Sequence, residues 1–110
     1  MTTLDDLALP IPPAIVDAPI NGETHEIVRA WWDGQRPRMT MRSSFGDHRL
    51  VGNLLAEMSW HFAQAYAKQS GADRDAILAD VRQRWTEMHA QFERLDLSGP
   101  APDSRPEVSA

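Results

Sequence analysis

The sequence predicts an α+β fold: an antiparallel β-hairpin packed on two long antiparallel helices (ββαα), behind an extended proline-rich arm. Three observations predict it. VRAWWDGQRPRMTMR, residues 28–42, alternates on both sides of a turn signal. Two later windows, 47–69 and 73–95, carry apolar residues at helical spacing. Gly71 and Asp73 stand between them as a stop and a start.

Residues 1–24 show no periodicity. LALPIPPAI holds Pro10, Pro12 and Pro13, and Pro19 follows. Prolines fix φ and push their predecessors into extended backbone. The reading is an extended arm bearing Leu9, Ile11 and Ile15, closed by an Asn21-Gly22 turn.

His25–Trp32 reads as a strand, Asp33–Pro37 as a hairpin loop and Arg38–Ser43 as the return strand. Neighbouring side chains in a strand face opposite ways. Val28, Ala30 and Trp32 therefore share a face with Met39 and Met41. Trp31 falls on the other face, with Arg29, Arg38, Thr40 and Arg42. A lone hairpin is marginal in water and needs backing. The first helix is expected behind the all-apolar face, which leaves the cover over Trp31 open.

Ser44 and Asp47 have the spacing of a capping box, with Asp in place of Glu. A helix should run from Asp47 to Gln69. Its main stripe is Val51, Leu54, Leu55, Met58, Phe62, Ala65 and Tyr66. Trp60 lies opposite, with Ala56, Ala63 and Ala67, and a helix apolar on two sides is covered on two sides. Gly52 inside this helix costs roughly 1 kcal/mol relative to alanine and suggests close approach of another element. Asp73 is an N-cap for a second helix, ending near Leu95. Its single stripe is Ile77, Leu78, Val81, Trp85, Met88, Phe92 and Leu95. Residues 97–110 have the composition of a disordered tail. The domain proper is 25–96.

The chain has 110 residues, no cysteine and a net charge of −5. One small domain fits that length. Without cysteine there is no disulfide frame, thiolate metal site or thiol nucleophile. No stretch is apolar for the roughly 18 residues a membrane span needs. The N-terminal residues lack the charge and apolar run of a signal peptide, so a cytoplasmic location is expected. Charge is uneven. Arg29, Arg36, Arg38, Arg42 and Arg49 outweigh Asp33 and Asp47, so the rest is strongly acidic. That balance argues against general binding to nucleic acid or anionic membranes.

No motif for catalysis stands out. His25, His48, His61 and His89 have no metal-ligand spacing. Glu57 and His61 are i, i+4 neighbours, the spacing of a helix-surface pair. Asp80, Glu87 and Glu93 read as a solvated face. There is no nucleophile elbow or glycine-rich phosphate loop. No catalytic residue, metal or cofactor is assigned.

Trp31, Arg29, Arg38, Arg42 and Trp60 are the candidate partner contacts, because tryptophan and arginine are enriched at binding hot spots. Their cover is a twin subunit in a two-fold dimer, another protein, or the arm folded back over Trp31. A ribbon-based DNA regulator is one alternative function, with Arg38, Thr40 and Arg42 as the reading face. The long helix, the position of the strand and the acidic charge weigh against it. A small-molecule site or small enzyme, with a pocket between Met39/Met41 and Met58/Phe62, is the other.

LPIPPAI, RAWWDG, MTMR and LVGNLLAEMSWHFAQAYA together resemble a family of short, mainly alphaproteobacterial proteins known only as a domain of unknown function. The resemblance covers about residues 8–90, and LPIPPA is its most distinctive piece. The loop DGQRPR is longer and more basic than the compact glycine turn of that family. The resemblance implies a small bacterial cytoplasmic protein and assigns no activity, cofactor or site residue. The function expected from the residues themselves is non-enzymatic and carried by protein–protein contacts, as a homodimer, subunit or adaptor.

Overall fold

The computed structural model describes residues 1–20, 23–95 and the backbone of 105–107. Its elements are β1 (Val28–Trp32), β2 (Pro37–Arg42), α1 (Leu50–Ser70), α2 (Arg74–Leu95) and a short β3 (Arg105–Glu107). The ββαα order is the expected one.

The hairpin is antiparallel, with Val28 opposite Met41, Ala30 opposite Met39 and Trp32 opposite Pro37. Arg29 faces Thr40 and Trp31 faces Arg38 across the ladder. Residues directly opposite share a face. The two faces are therefore those the alternation predicts. β3 pairs with β2 in parallel, placing Thr40 beside Arg105 and Arg42 beside Glu107. This strand departs from the tail expected over 97–110, whose other residues lie outside those described, as does the Asn21-Gly22 turn. The arm is less extended than its prolines suggest. Thr3 and Asp6 bond reciprocally, each side chain accepting from the other's backbone N–H at 3.2 and 2.9 Å, and close one turn. A second turn starts at Pro12, whose carbonyl accepts from Ile15 and Val16 at 3.0 Å. Proline is suited to opening a helical turn because its φ is already set.

α1 begins three residues later than predicted, and no capping box forms. The Asp47 carboxylate instead accepts from the backbone N–H of Arg49 at 3.0 Å and from its guanidinium. Leu50, Val51 and Gly52 then donate three residues back, so a tight turn precedes the regular helix. Arg49 occupies the cap position without a side-chain cap bond. Ser44 is held elsewhere, by the imidazole of His25. The other end of α1 follows its signals. Gly71 takes φ 74° and its N–H bonds the Ala67 carbonyl at 2.8 Å, which is the αL termination. Asp73 then caps α2 through the N–H of Ala76 at 3.0 Å.

The helices meet through the smooth face of α1. Ala63 is fully buried and Leu78 is 6% exposed. Small residues let two helix backbones approach closely, and the Ser59 hydroxyl is already satisfied by the Leu55 carbonyl. Among the described residues, Ala63 and Leu78 are the whole buried core.

The predicted packing of hairpin on helices is not what the chain adopts. No strand Cα comes within 8 Å of a helix Cα. The segment that joins them carries the His25–Ser44 hydrogen bond at the base of the hairpin and the Arg49–Asp47 ion pair before α1. The molecule is open. Its accessible surface is 9704 Å², where a compact 12.4 kDa monomer exposes about 6100 Å². Its radius of gyration is 16.3 Å, against about 13 Å for a globule of this length.

Two stability predictions follow from the helical pair. Leu78→Ala should cost about 2–3 kcal/mol in urea unfolding, near the lower end for buried leucines, because part of its cavity opens to solvent. Gly71→Ala should cost about 1 kcal/mol through backbone strain alone, since no atom stands within 4 Å of the added methyl.

Candidate interaction surface

The hairpin loop is built around one carboxylate. Asp33 accepts from the backbone N–H groups of Arg36 and Gln35, each at 2.9 Å, and from Arg38 Nε at 2.7 Å. These donors hold its pKa down to about 2, the Arg36 and Gln35 amides contributing most and the Arg38 guanidinium next. Gly34 supplies the positive φ, 103°, that the four-residue turn requires. The loop thereby fixes the register that puts Trp31 and Trp32 on opposite faces. Asp47 is likewise held below the usual carboxylate range by Arg49.

On the first face, Trp31 is 37% exposed. The Arg29 guanidinium sits 5.3 Å from its ring centre and 3.4 Å from Glu26. Arg38 turns back to Asp33 at 2.7 Å. Arg42 donates to the Glu26 carbonyl at 3.3 Å. The arginines of the proposed DNA-reading face are thus engaged within their own hairpin. Trp31 also lines a groove of about 690 Å³, together with Leu9, Pro10, Ile11 and Pro12 of the arm. Residues 1–28 carry Asp5, Asp6, Asp17, Glu23 and Glu26 and no lysine or arginine. An acidic arm therefore lies beside a basic hairpin.

On the second face, Trp32 is 69% exposed, beyond half-buried Val28, Met39 and Met41. The sequence pattern places this face on α1, whereas no Cα of the strands lies within 8 Å of α1 and Val28 and Ala30 line the groove shared with the arm. The main stripe of α1 is exposed in part. Val51, Leu55 and Met58 are each about two-fifths exposed, and Phe62 and Tyr66 are 56% exposed. Neither the groove beside the arm nor the one between the helices is lined by Met39, Met41, Met58 or Phe62, the residues expected to frame a pocket.

Trp60 is brought to a different place from Trp31. It sits under the Arg74 guanidinium, 4.2 Å from ring centre to cation, a favourable cation–π arrangement. With Leu55, Ala56, Leu78 and Trp85 it lines a groove of about 550 Å³ between the helices. It is 39% exposed, about as much as Trp31, with part of its ring in the interhelical groove. Gly52 lines the same groove, and among the described residues no neighbouring element comes within 4 Å of where its β-carbon would stand.

Sequence reasoning passed over Trp32, Phe62 and Tyr66 as surface residues. The signal was present in the two apolar sides of α1, which require two covers, while α2 supplies one. His61 and Glu57 pair at 3.7 Å on the exposed helix surface. His89 stacks on Trp85 with ring centres 3.8 Å apart. Among the described residues, no three histidines or carboxylates gather as a metal set. No described helix is long and apolar enough to cross a membrane.

The chain belongs to the family of the domain of unknown function DUF5076, whose family pattern matches residues 8–94. A solved structure from the photosynthetic bacterium Rhodopseudomonas palustrus CGA009, provisionally named a pyruvate dehydrogenase, is similar over 84% of this chain and 89% of its own. Its TM-score is 0.56 and its identity 24%. That likeness shows the fold alone. No curated protein matches the chain.

The loop geometry predicts a pH response with a defined sign. Asp33 has its pKa lowered in the fold from 3.8 to about 2. Its stabilising effect is complete above pH 3.8 and is lost as pH falls through about 2. The amide resonances of Gln35 and Arg36 should titrate with a midpoint near 2, and Asp33→Asn should remove that titration. A midpoint near 3.8 would show that the loop does not hold the carboxylate.

Proposed function

We propose that this member of the family is a small non-enzymatic intracellular protein that works through protein–protein contacts made by its hairpin and the outer face of α1. One observation carries the reading: Trp31, Trp32, Phe62 and Tyr66 all stand exposed in a chain whose described residues bury only Ala63 and Leu78. Isolated exposed apolar residues are ordinary, whereas rows of them mark interaction sites, and Trp32 with Met39 and Met41, and Phe62 with Val51, Met58 and Tyr66, form two such rows. Arg29, Arg38 and Arg42 lie beside Trp31 on the other sheet face. The absence of cysteine suits a reducing interior.

The test is the native mass of the protein, purified gently from its own cells at low salt. A species heavier than 12.4 kDa supports the contact function; a bare monomer at all concentrations rejects it. The exposed and the interhelical tryptophan should separate. Trp32→Ala should weaken association and leave helical content unchanged. Trp60→Ala should leave association in place and lower the unfolding midpoint, because it removes the Arg74 stack and part of the interhelical groove. Equal effects of both on association would remove the distinction.

A further inference from the structure

The chain carries two apolar surfaces with exposed aromatic residues, Trp32 on one and Phe62 and Tyr66 on the other, and they are complementary in kind. One is a sheet face: Val28, Ala30, Trp32, Met39 and Met41. The other is a helix stripe: Val51, Met58, Phe62, Ala65 and Tyr66. A sheet face normally buries itself on a helical layer. Within one chain the two do not meet: no strand Cα lies within 8 Å of a helix Cα among the described residues. Resting on the contact function proposed above, we infer that the partner is a second copy of this chain, bound by reciprocal exchange. The hairpin of each copy lies on the α1 stripe of the other.

Three features support that occupant. First, one chain presents both halves of the contact, so a two-fold axis satisfies both at once: residue i meets j, and j meets i. A different protein would have to supply a sheet face and a helix stripe of its own. Second, there is surface to bury. The whole chain exposes 9704 Å², against about 6100 Å² for a compact monomer of its mass, and an obligate dimer removes roughly 1000–2500 Å² from each subunit. Third, the chemistry of the surfaces is that of subunit interfaces. Tryptophan, phenylalanine, tyrosine and methionine are enriched there, and charged residues are few at the centre. Glu57, His61 and Lys68 lie off the stripe, on the polar sector of α1 by the helical period.

The absence of cysteine makes the arrangement directly readable. Ala30 lies on the sheet face and Ala65 on the helix stripe, and both are small and exposed. The full chain carrying Ala30→Cys and Ala65→Cys, with unchanged circular dichroism, would be treated with a short bis-maleimide. Reciprocal exchange gives a covalent species of twice 12.4 kDa, and an equal mixture of the two single variants gives it too. Linkage within one chain would overturn the inference and place each hairpin on its own helices. No linkage in a species of dimer mass would also overturn it, while the contact function stands. A monomer at every concentration would defeat both.

A second experiment is independent of the linker chemistry. Trp32→Asp and Phe62→Asp should each raise the dimer dissociation constant at least about 30-fold, as expected for central aromatic anchors. In a mixed pair, one of the two contacts has both partners intact. Mixing the variants should therefore recover a 1:1 pair that neither forms alone. Failure of the mixture to pair, with both variants folded, would overturn reciprocal exchange.

Discussion

The rest of the structure depends on the circumference of α1. Its 21 residues are apolar around more than half the helix: a small-residue face through Ala56, Ala63 and Ala67, and a large-residue stripe through Met58, Phe62 and Tyr66. One neighbouring helix covers one side. α2 takes the small-residue face, where Ala63 is fully buried and Leu78 and Val81 line the interhelical groove with Ala56. That choice leaves the larger side chains facing outward. The expected hydrophobic gain from burying an aromatic side chain is about 2–3 kcal/mol, so an uncovered row of them is a substantial reserve of binding energy.

The hairpin obeys a separate constraint, set within its loop. Four donors and acceptors around Asp33 determine the turn, the turn determines the register, and the register sorts the two tryptophans. Neither step uses the helices. This independence lets the sheet keep its form while standing away from them. It also explains why Arg38, a candidate contact by composition, spends its guanidinium on the loop carboxylate.

Features governed by neighbours in sequence were legible from the residues. The two sheet faces followed from the alternation of Met39 and Met41 with Arg38, Thr40 and Arg42. The helix junction followed from Gly71 and Asp73. Features governed by competition were not. Ser44 and Asp47 have capping spacing, but Arg49 offers Asp47 a nearer amide and a guanidinium, and His25 takes Ser44. Trp60 was correctly set apart from the main stripe, yet only the packing of α2 showed that Arg74 would close over it. The pairing of β3 with β2 joins segments more than sixty residues apart, and no periodic signal spans such a distance. The resemblance of LPIPPAI and its companion motifs to a family held, but a family without a known activity leaves the site to be read from its geometry.

The separation of sheet from helices also bears on how the molecule reaches this form. Its two strongest pairings, β1 with β2 and α1 with α2, each join immediate neighbours in the chain. Such local closures take on the order of microseconds, far faster than long-range sheet pairing. Each half is marginal alone, so the slow and decisive step is whatever brings its uncovered surfaces against something else. If that step is bimolecular, folding and assembly are a single reaction. Stability is then a function of how much protein is present, and a newly made chain in a dilute compartment would be the form most exposed to degradation.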